Sequence, residues 1–148
     1  MAILKNSIEI KTTPDKIFKW LKNLDKHYKE WHPDHVKWIN LTGSLDKGDI
    51  FYSEEYLHGK LHKLKGKITK IEENKRVEYK FLFPTSIISP KGSFIIELKD
   101  ESSIFTAIVS FRFGWLFSKL AKNKVKASKT HMREEGENLK KLLEKGKD

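Results

Sequence analysis

The sequence predicts an α+β fold: a curved antiparallel sheet of about six to seven strands wrapped around one long C-terminal helix, with short helices near the N-terminus. Three observations predict it. Through the middle of the chain, short runs of alternating apolar residues are separated by turn residues at roughly 8–12-residue spacing, the pattern of an antiparallel meander. Residues 116–145 carry one apolar stripe at helical period, through Phe117, Leu120, Ala121, Val125, Met132, Leu139, Leu142 and Leu143. The chain has 148 residues without internal repeats or linkers, so residues 1–148 read as a single domain.

The elements follow in order. Ile3, Ile8 and Ile10 alternate with polar residues over 3–11 and predict a strand. Thr12-Thr13-Pro14-Asp15 is a helix start, with a Thr N-cap and Pro in the first turn. Ile17, Phe18, Trp20, Leu21 and Leu24 then keep helical spacing over 14–24. Residues 25–35 are polar and aromatic, with His27, His32 and His35, and fit a short helix or loop. Strands are expected at 36–41, 50–57, 61–72, 76–83, 92–98 and 104–113, punctuated by turn residues such as Lys47-Gly48-Asp49, Gly59 and Glu73-Asn74-Lys75. Pro84 to Pro90 reads as a loop, and the aromatics Trp20, Phe81, Phe83, Phe94, Phe111 and Phe113 as core or cavity lining. The end of the chain, Glu144 to Asp148, is expected to fray.

Composition excludes several functions. There is no cysteine, which removes disulfide frameworks, thiol catalysis and every Cys-based zinc or iron–sulfur site. No apolar run approaches the ~18 residues of a membrane span, so no membrane insertion is expected. Met1 to Lys11 lacks the apolar core of a secretory signal, and a soluble cytoplasmic protein is expected. Lys and Arg total 30 against 20 acidic residues, a net charge of +10. Only Arg76, Arg112 and Arg133 are arginine, and the lysines are dispersed among Glu and Asp along the chain. That dispersal favours a solvated surface over a basic surface for nucleic acid or anionic lipid, since a nucleic-acid reader clusters arginine for bidentate contacts.

Chemistry gathers at three places. Glu135 interrupts the apolar stripe of the long helix, at a position that should face the sheet, where a carboxylate is costly unless paired, hydrogen-bonded or metal-bound. His131 lies one turn before it, at i, i+4, and Glu134 is the alternative at i, i+3. Gly136 beside them costs ~1 kcal/mol in mid-helix, and either a close-approaching neighbour or an indifferent position accounts for it. Trp31-His32-Pro33-Asp34-His35 brings three metal or proton-transfer groups into four positions, flanked by Trp31 and Trp38 as anchors. On the strand at 50–57, alternation sends Phe51, Ser53, Glu55 and Leu57 to one face and Tyr52, Glu54 and Tyr56 to the other, so at most one of Glu54 and Glu55 reaches an interior site. Two His with one or two carboxylates form an N/O donor set that suits a divalent metal, zinc best. His27, His58 and His62 read as surface or strand-face residues, and Glu134 as solvent-facing and paired with a lysine.

Ile8-Glu9-Ile10 and Thr13-Pro14-Asp15-Lys16-Ile17-Phe18-Lys19-Trp20-Leu21 resemble the start of SRPBCC (START-like, helix-grip) proteins, and the strands and long C-terminal helix extend the resemblance along nearly the whole chain. Within that superfamily, residues 31–38, 54–56 and 131–139 look like the diacetylphloroglucinol hydrolase group, enzymes that cleave a carbon–carbon bond of an acylated phenol with zinc held by His and Glu. The resemblance implies His35, Glu55, His131 and Glu135 as metal ligands, with Glu54 as fallback for Glu55. It implies a hydrolase acting on a small aromatic or acylated ketone, in which Glu135 or Glu55 leaves the metal to act as general base. Tyr52, Tyr56 or Tyr79 then donates to a phenolic or enolate oxygen, depending on which face is inside. The alternative is a non-catalytic binding or transport protein for a lipid or other hydrophobic small molecule, in which no metal is retained.

Overall fold

A computed structural model describes residues 2–112 and 121–145. Seven strands form one antiparallel sheet: β1 (Ala2–Ile10), β2 (His35–Asn40), β3 (Ile50–Leu57), β4 (Lys60–Glu72), β5 (Arg76–Phe81), β6 (Lys91–Lys99) and β7 (Ser102–Phe111). Their spatial order is β1-β7-β6-β5-β4-β3-β2. The strands from β2 to β7 are thus a meander, and β1 joins the far edge against β7, with Ala2 opposite Phe111 and Ile10 opposite Ser103. Two short helices, α1 (Pro14–Lys22) and α2 (Leu24–Trp31), follow β1, and α3 (Ala121–Lys145) crosses the sheet. This is the helix-grip arrangement the sequence predicts.

The helical segment after Thr13 differs from the expectation of one helix over 14–24. Asn23 leaves helical geometry, at φ −115 and ψ 33, and divides it in two. Its amide side chain donates to the Lys19 carbonyl (2.8 Å) and its own N–H to Trp20 (3.1 Å), closing α1. Helix α2 then forms from the polar stretch, because Leu24, Tyr28 and Trp31 recur at i, i+4 and i+7 and are all buried. Loop 82–90 contains a short 3-10 turn, Thr85–Ile87. Phe83 is not cavity lining: β5 ends at Phe81, the alternation stops, and Phe83 is 77% exposed. Phe113, Phe117 and Leu120 lie outside the described residues, as do residues 146–148 of the end expected to fray. Glu144 remains in α3, where its carboxylate holds Lys140 (2.8 Å).

The core lies between the inner sheet face and the helices, with Ile10, Ile17, Phe105 and Leu139 almost wholly buried. Helix α3 comes very close to β1 at Gly136. A Cβ there would sit 2.9 Å from the Asn6 amide nitrogen and 3.4 Å from Ile8, so of the two accounts of this glycine the close neighbour holds. On the other face of the same helix, His131 and Glu135 point toward β3 and α2.

Candidate metal centre and ligand cavity

Three elements deliver four side chains to one point. His35 opens β2, and its Cα partner across the ladder is Glu55 of β3. The register therefore sets the two side by side on the inner face, with Phe51 and Ser53. Opposite them, one turn of α3 supplies His131 and Glu135. His35 Nε2 is 2.9 Å from Glu135 Oε2, 3.2 Å from His131 Nε2 and 3.6 Å from Glu55 Oε2. His131 Nε2 is 3.3 Å from Glu55 and 3.4 Å from Glu135. These four are the residues singled out in the sequence.

The surroundings hold the donors in place. The Tyr28 carbonyl accepts a hydrogen bond from His35 Nδ1 (2.8 Å), so that nitrogen carries a proton and Nε2 is the atom turned to the cluster. The Tyr28 ring stacks on the His35 ring at 3.9 Å, and its hydroxyl donates to Glu55 Oε2 (3.2 Å). Trp31 Nε1 donates to the Glu135 carbonyl (2.9 Å), and the Asn138 amide donates back to the Trp31 carbonyl (3.0 Å), which ties α2 to α3. His32 stands behind His131 at a ring separation of 4.2 Å. It accepts the Asp34 N–H at Nδ1 and donates from Nε2 to Glu134, so Glu134 serves a histidine rather than the lysine expected from the sequence.

The charges are strongly interdependent. Burial alone would depress the His131 imidazole, but its hydrogen bonds with Glu135 and Glu55 prevail and push it up to about 11. Burial opposes the charge on Glu135 in the same way, and its hydrogen bonds with His131 and His35 hold it down at about 2. Burial, then the Glu55 and Glu135 carboxylates, push the Tyr28 hydroxyl well above its ordinary range, so it remains a donor.

A cavity of about 490 Å³ opens beside the cluster. Glu55, His131 and Glu135 line it, and its other walls are mainly apolar, including Phe51, Val77, Phe94 and Val109. Tyr79 also lines it, and its hydroxyl has no hydrogen-bond partner among the described residues. Burial pushes that hydroxyl's pKa up, with Glu135 and Glu55 adding to the shift. Tyr52 and Tyr56 lie on the opposite face of β3 from Glu55, and Tyr52 donates to Glu54 there. Glu54 is therefore outside the cluster, and of the three tyrosines named from the sequence only Tyr79 meets the cavity. His62 faces inward opposite Glu55, and its Nε2 is buried without a partner among the described residues. His27 stays on α2, paired with Glu30 (2.8 Å).

Sequence reasoning missed Tyr28. Its signal was the i, i+4, i+7 spacing with Leu24 and Trp31, legible only once residues 24–31 are taken as a helix.

A family model described as polyketide cyclase / dehydrase and lipid transport matches residues 1–144. No curated protein matches the sequence. Solved structures share the fold. A START superfamily protein from Mycobacterium smegmatis superposes with a TM-score of 0.74 at 12% identity, covering 97% of each chain. The Aha1 dimer from Colwellia psychrerythraea gives 0.72 at 22% identity over 100% of both chains. The di-domain ARO/CYC BexL of the BE-7585A biosynthetic pathway gives 0.72 at 13% identity, over 97% of this chain and 47% of that one. At such identities the likeness is one of fold. Among the described residues, no helix is long and apolar enough to cross a membrane.

Proposed function

The chain belongs to the polyketide cyclase / dehydrase and lipid transport family, and from that premise we propose a metal-dependent hydrolase acting on a small aromatic or acylated ketone held in the cavity. One observation carries the reading: two imidazoles and two carboxylates, delivered by three elements, converge beside a mainly apolar cavity. Five of the six donor pairs are 2.9–3.6 Å apart, and all four donors lie within 4.8 Å of one another. Metal–ligand bonds of ~2.0–2.1 Å in a tetrahedral site separate the donors by ~3.3 Å, so the spacing suits zinc. The donor chemistry fits as well, with two anionic oxygens to balance a dication and His35 turning Nε2 to the cluster.

His35, Glu55, His131 and Glu135 would hold the metal. Bound there, it supplies Lewis-acid polarisation of a carbonyl oxygen and acidifies water. The chain's own groups do the rest. Glu55 and Glu135 both reach the cavity, and either carboxylate can take a proton from water or from a ligand hydroxyl as general base. Tyr79 offers an unengaged hydroxyl to a phenolic or enolate oxygen. The aromatic walls exclude water and bind the apolar body of the ligand. The segments at 31–38, 54–56 and 131–139, which resemble the diacetylphloroglucinol hydrolase group, favour zinc and cleavage of a carbon–carbon bond in an acylated phenol as the finer form of this reading.

The apolar cavity also suits a carrier of a lipid or other hydrophobic molecule, and metal content separates the two. Mass spectrometry on untagged, dialysed protein should find near-stoichiometric zinc, lost in His35→Ala and Glu135→Ala. Turnover of acylated phenols by the zinc form should fall with it. No metal in the wild type after zinc is supplied would overturn the hydrolase and leave the carrier.

A further inference from the structure

Loop 82–90 has a composition unlike the rest of the chain. Residues 81–90, Phe-Leu-Phe-Pro-Thr-Ser-Ile-Ile-Ser-Pro, carry no charge, although 34% of the chain is charged. The other uncharged run of this length, 102–111, is β7, whose Phe105, Ala107 and Phe111 are buried in the core. Here the loop divides its side chains. Pro84, Thr85, Ile88 and Ser89 line the cavity, while Phe83 and Ile87 are 77% and 57% exposed. The tip is fastened to the body, because Arg112 donates its backbone N–H to the Ile88 carbonyl (2.9 Å) and its Nε to the Ser86 carbonyl (3.0 Å).

The loop rises from a cationic base. Lys80 and Lys91 are direct partners across β5 and β6 where the loop begins and ends, and Lys67 of β4 is the partner of Lys80. Like charges directly opposite on a sheet oppose its formation. None of these three has an ion-pair partner among the described residues, and nearby acids are engaged elsewhere: Glu78 with Arg76, Asp46 with Lys22. Lys63 and Lys65 extend the cationic face along β4, exposed.

We propose that this end of the molecule is a peripheral docking surface for an anionic lipid bilayer, with Phe83 and Ile87 entering the interface and Lys67, Lys80, Lys91 and Arg112 meeting the headgroups. An uncharged apolar tip above a ring of unpaired cations complements a bilayer's apolar interior and anionic surface in that order. The loop also walls the cavity, so docking would place the cavity beside the source of an apolar ligand. This inference does not depend on the metal reading.

Vesicle co-sedimentation tests it, comparing phosphatidylcholine alone with a mixture containing about one-third phosphatidylglycerol, at about 0.1 M salt, where screening beyond ~10 Å is strong. Binding is expected to the anionic vesicles only. Each cation near such a surface contributes about fivefold in affinity, so Lys80→Glu/Lys91→Glu should weaken binding more than twentyfold. Phe83→Ser should weaken it severalfold at unchanged charge. Lys26→Glu/Lys29→Glu, the same charge change on exposed positions of α2, should leave most of the binding intact. Equal loss in that control would reduce the effect to net charge and overturn the proposal. So would absence of binding to anionic vesicles. Concentration-dependent self-association without vesicles, lost in Phe83→Ser, would assign the tip to a second copy of the chain and overturn it as well.

Discussion

Tyr28 holds His35 twice over: its carbonyl accepts the Nδ1 proton at 2.8 Å, and its ring lies on the imidazole at 3.9 Å, tilted by only 6°. The same side chain reaches past His35 to donate to Glu55. Tyr28→Phe keeps the carbonyl and the stack and deletes the phenolic bond. Loss of such a supporting hydrogen bond costs ~10–100-fold in metal affinity. Competition against a chromophoric chelator should show a drop in that range with folding intact, and an unchanged affinity would mean Glu55 needs no help from Tyr28.

Metal should stabilise the fold. A ligand at a hundredfold its Kd adds about 2.7 kcal/mol. For a chain of this size that raises Tm by about 5–10 °C. Thermal unfolding with and without zinc should show this rise for the wild type and not for His35→Ala.

The stability of the metal-free protein should depend on pH in a way set by His131 and Glu135. His131 is raised from 6.5 to about 11, so its contribution is whole below about pH 6.5 and is lost as pH rises through about 11. Glu135 is lowered from 4.5 to about 2, so its contribution is whole above about pH 4.5 and is lost as pH falls through about 2. Their joint contribution is therefore greatest between about pH 4.5 and 6.5. Urea titrations in chelator across pH, wild type beside Glu135→Gln, should differ most in that window. Metal displaces the His131 proton, so zinc binding should release protons and strengthen as pH rises from acid.

Gly136 tests the contact between α3 and β1. Alanine gains ~1 kcal/mol of helix propensity. Its Cβ must displace the Asn6 amide, whose bond to the Met132 carbonyl is long at 3.5 Å. The two effects nearly cancel, and Gly136→Ala should change stability by less than about 1 kcal/mol. Gly136→Leu meets Ile8 as well and should lose about 1–3 kcal/mol by overpacking. Chemical denaturation measures both.

The sheet and the long helix were legible because each leaves a local mark, whereas His35, Glu55, His131 and Glu135 were joined as one set by the resemblance to the hydrolase group. Alternation over 50–57 sends Glu54 and Glu55 to opposite faces, and helical spacing puts His131 and Glu135 on one. Deciding that Glu55 is the inner one takes a tertiary fact, that Phe51 and Ser53 bury beside it. The structure parts from the sequence reading where pairing between distant segments decides. Phe83 continues the β5 alternation but lies beyond the point where the ladder ends. His62 resembles any strand-face histidine until its register with Glu55 turns it inward. The partner of Glu134 is a histidine a hundred positions away, and no spacing rule reaches that far.

The strand order has a consequence for biosynthesis. Among the described residues, β1 pairs with β7 alone. On a ribosome its apolar face, Leu4, Ile8 and Ile10, must wait while the intervening hairpins are made, because its partner ends at Phe111. Pairing over such a separation is slow to nucleate and leaves an unpaired edge open to neighbouring chains meanwhile. The first strand of this sheet to be made must wait for the last, so the nascent chain is most exposed to misassociation just before the sheet is complete.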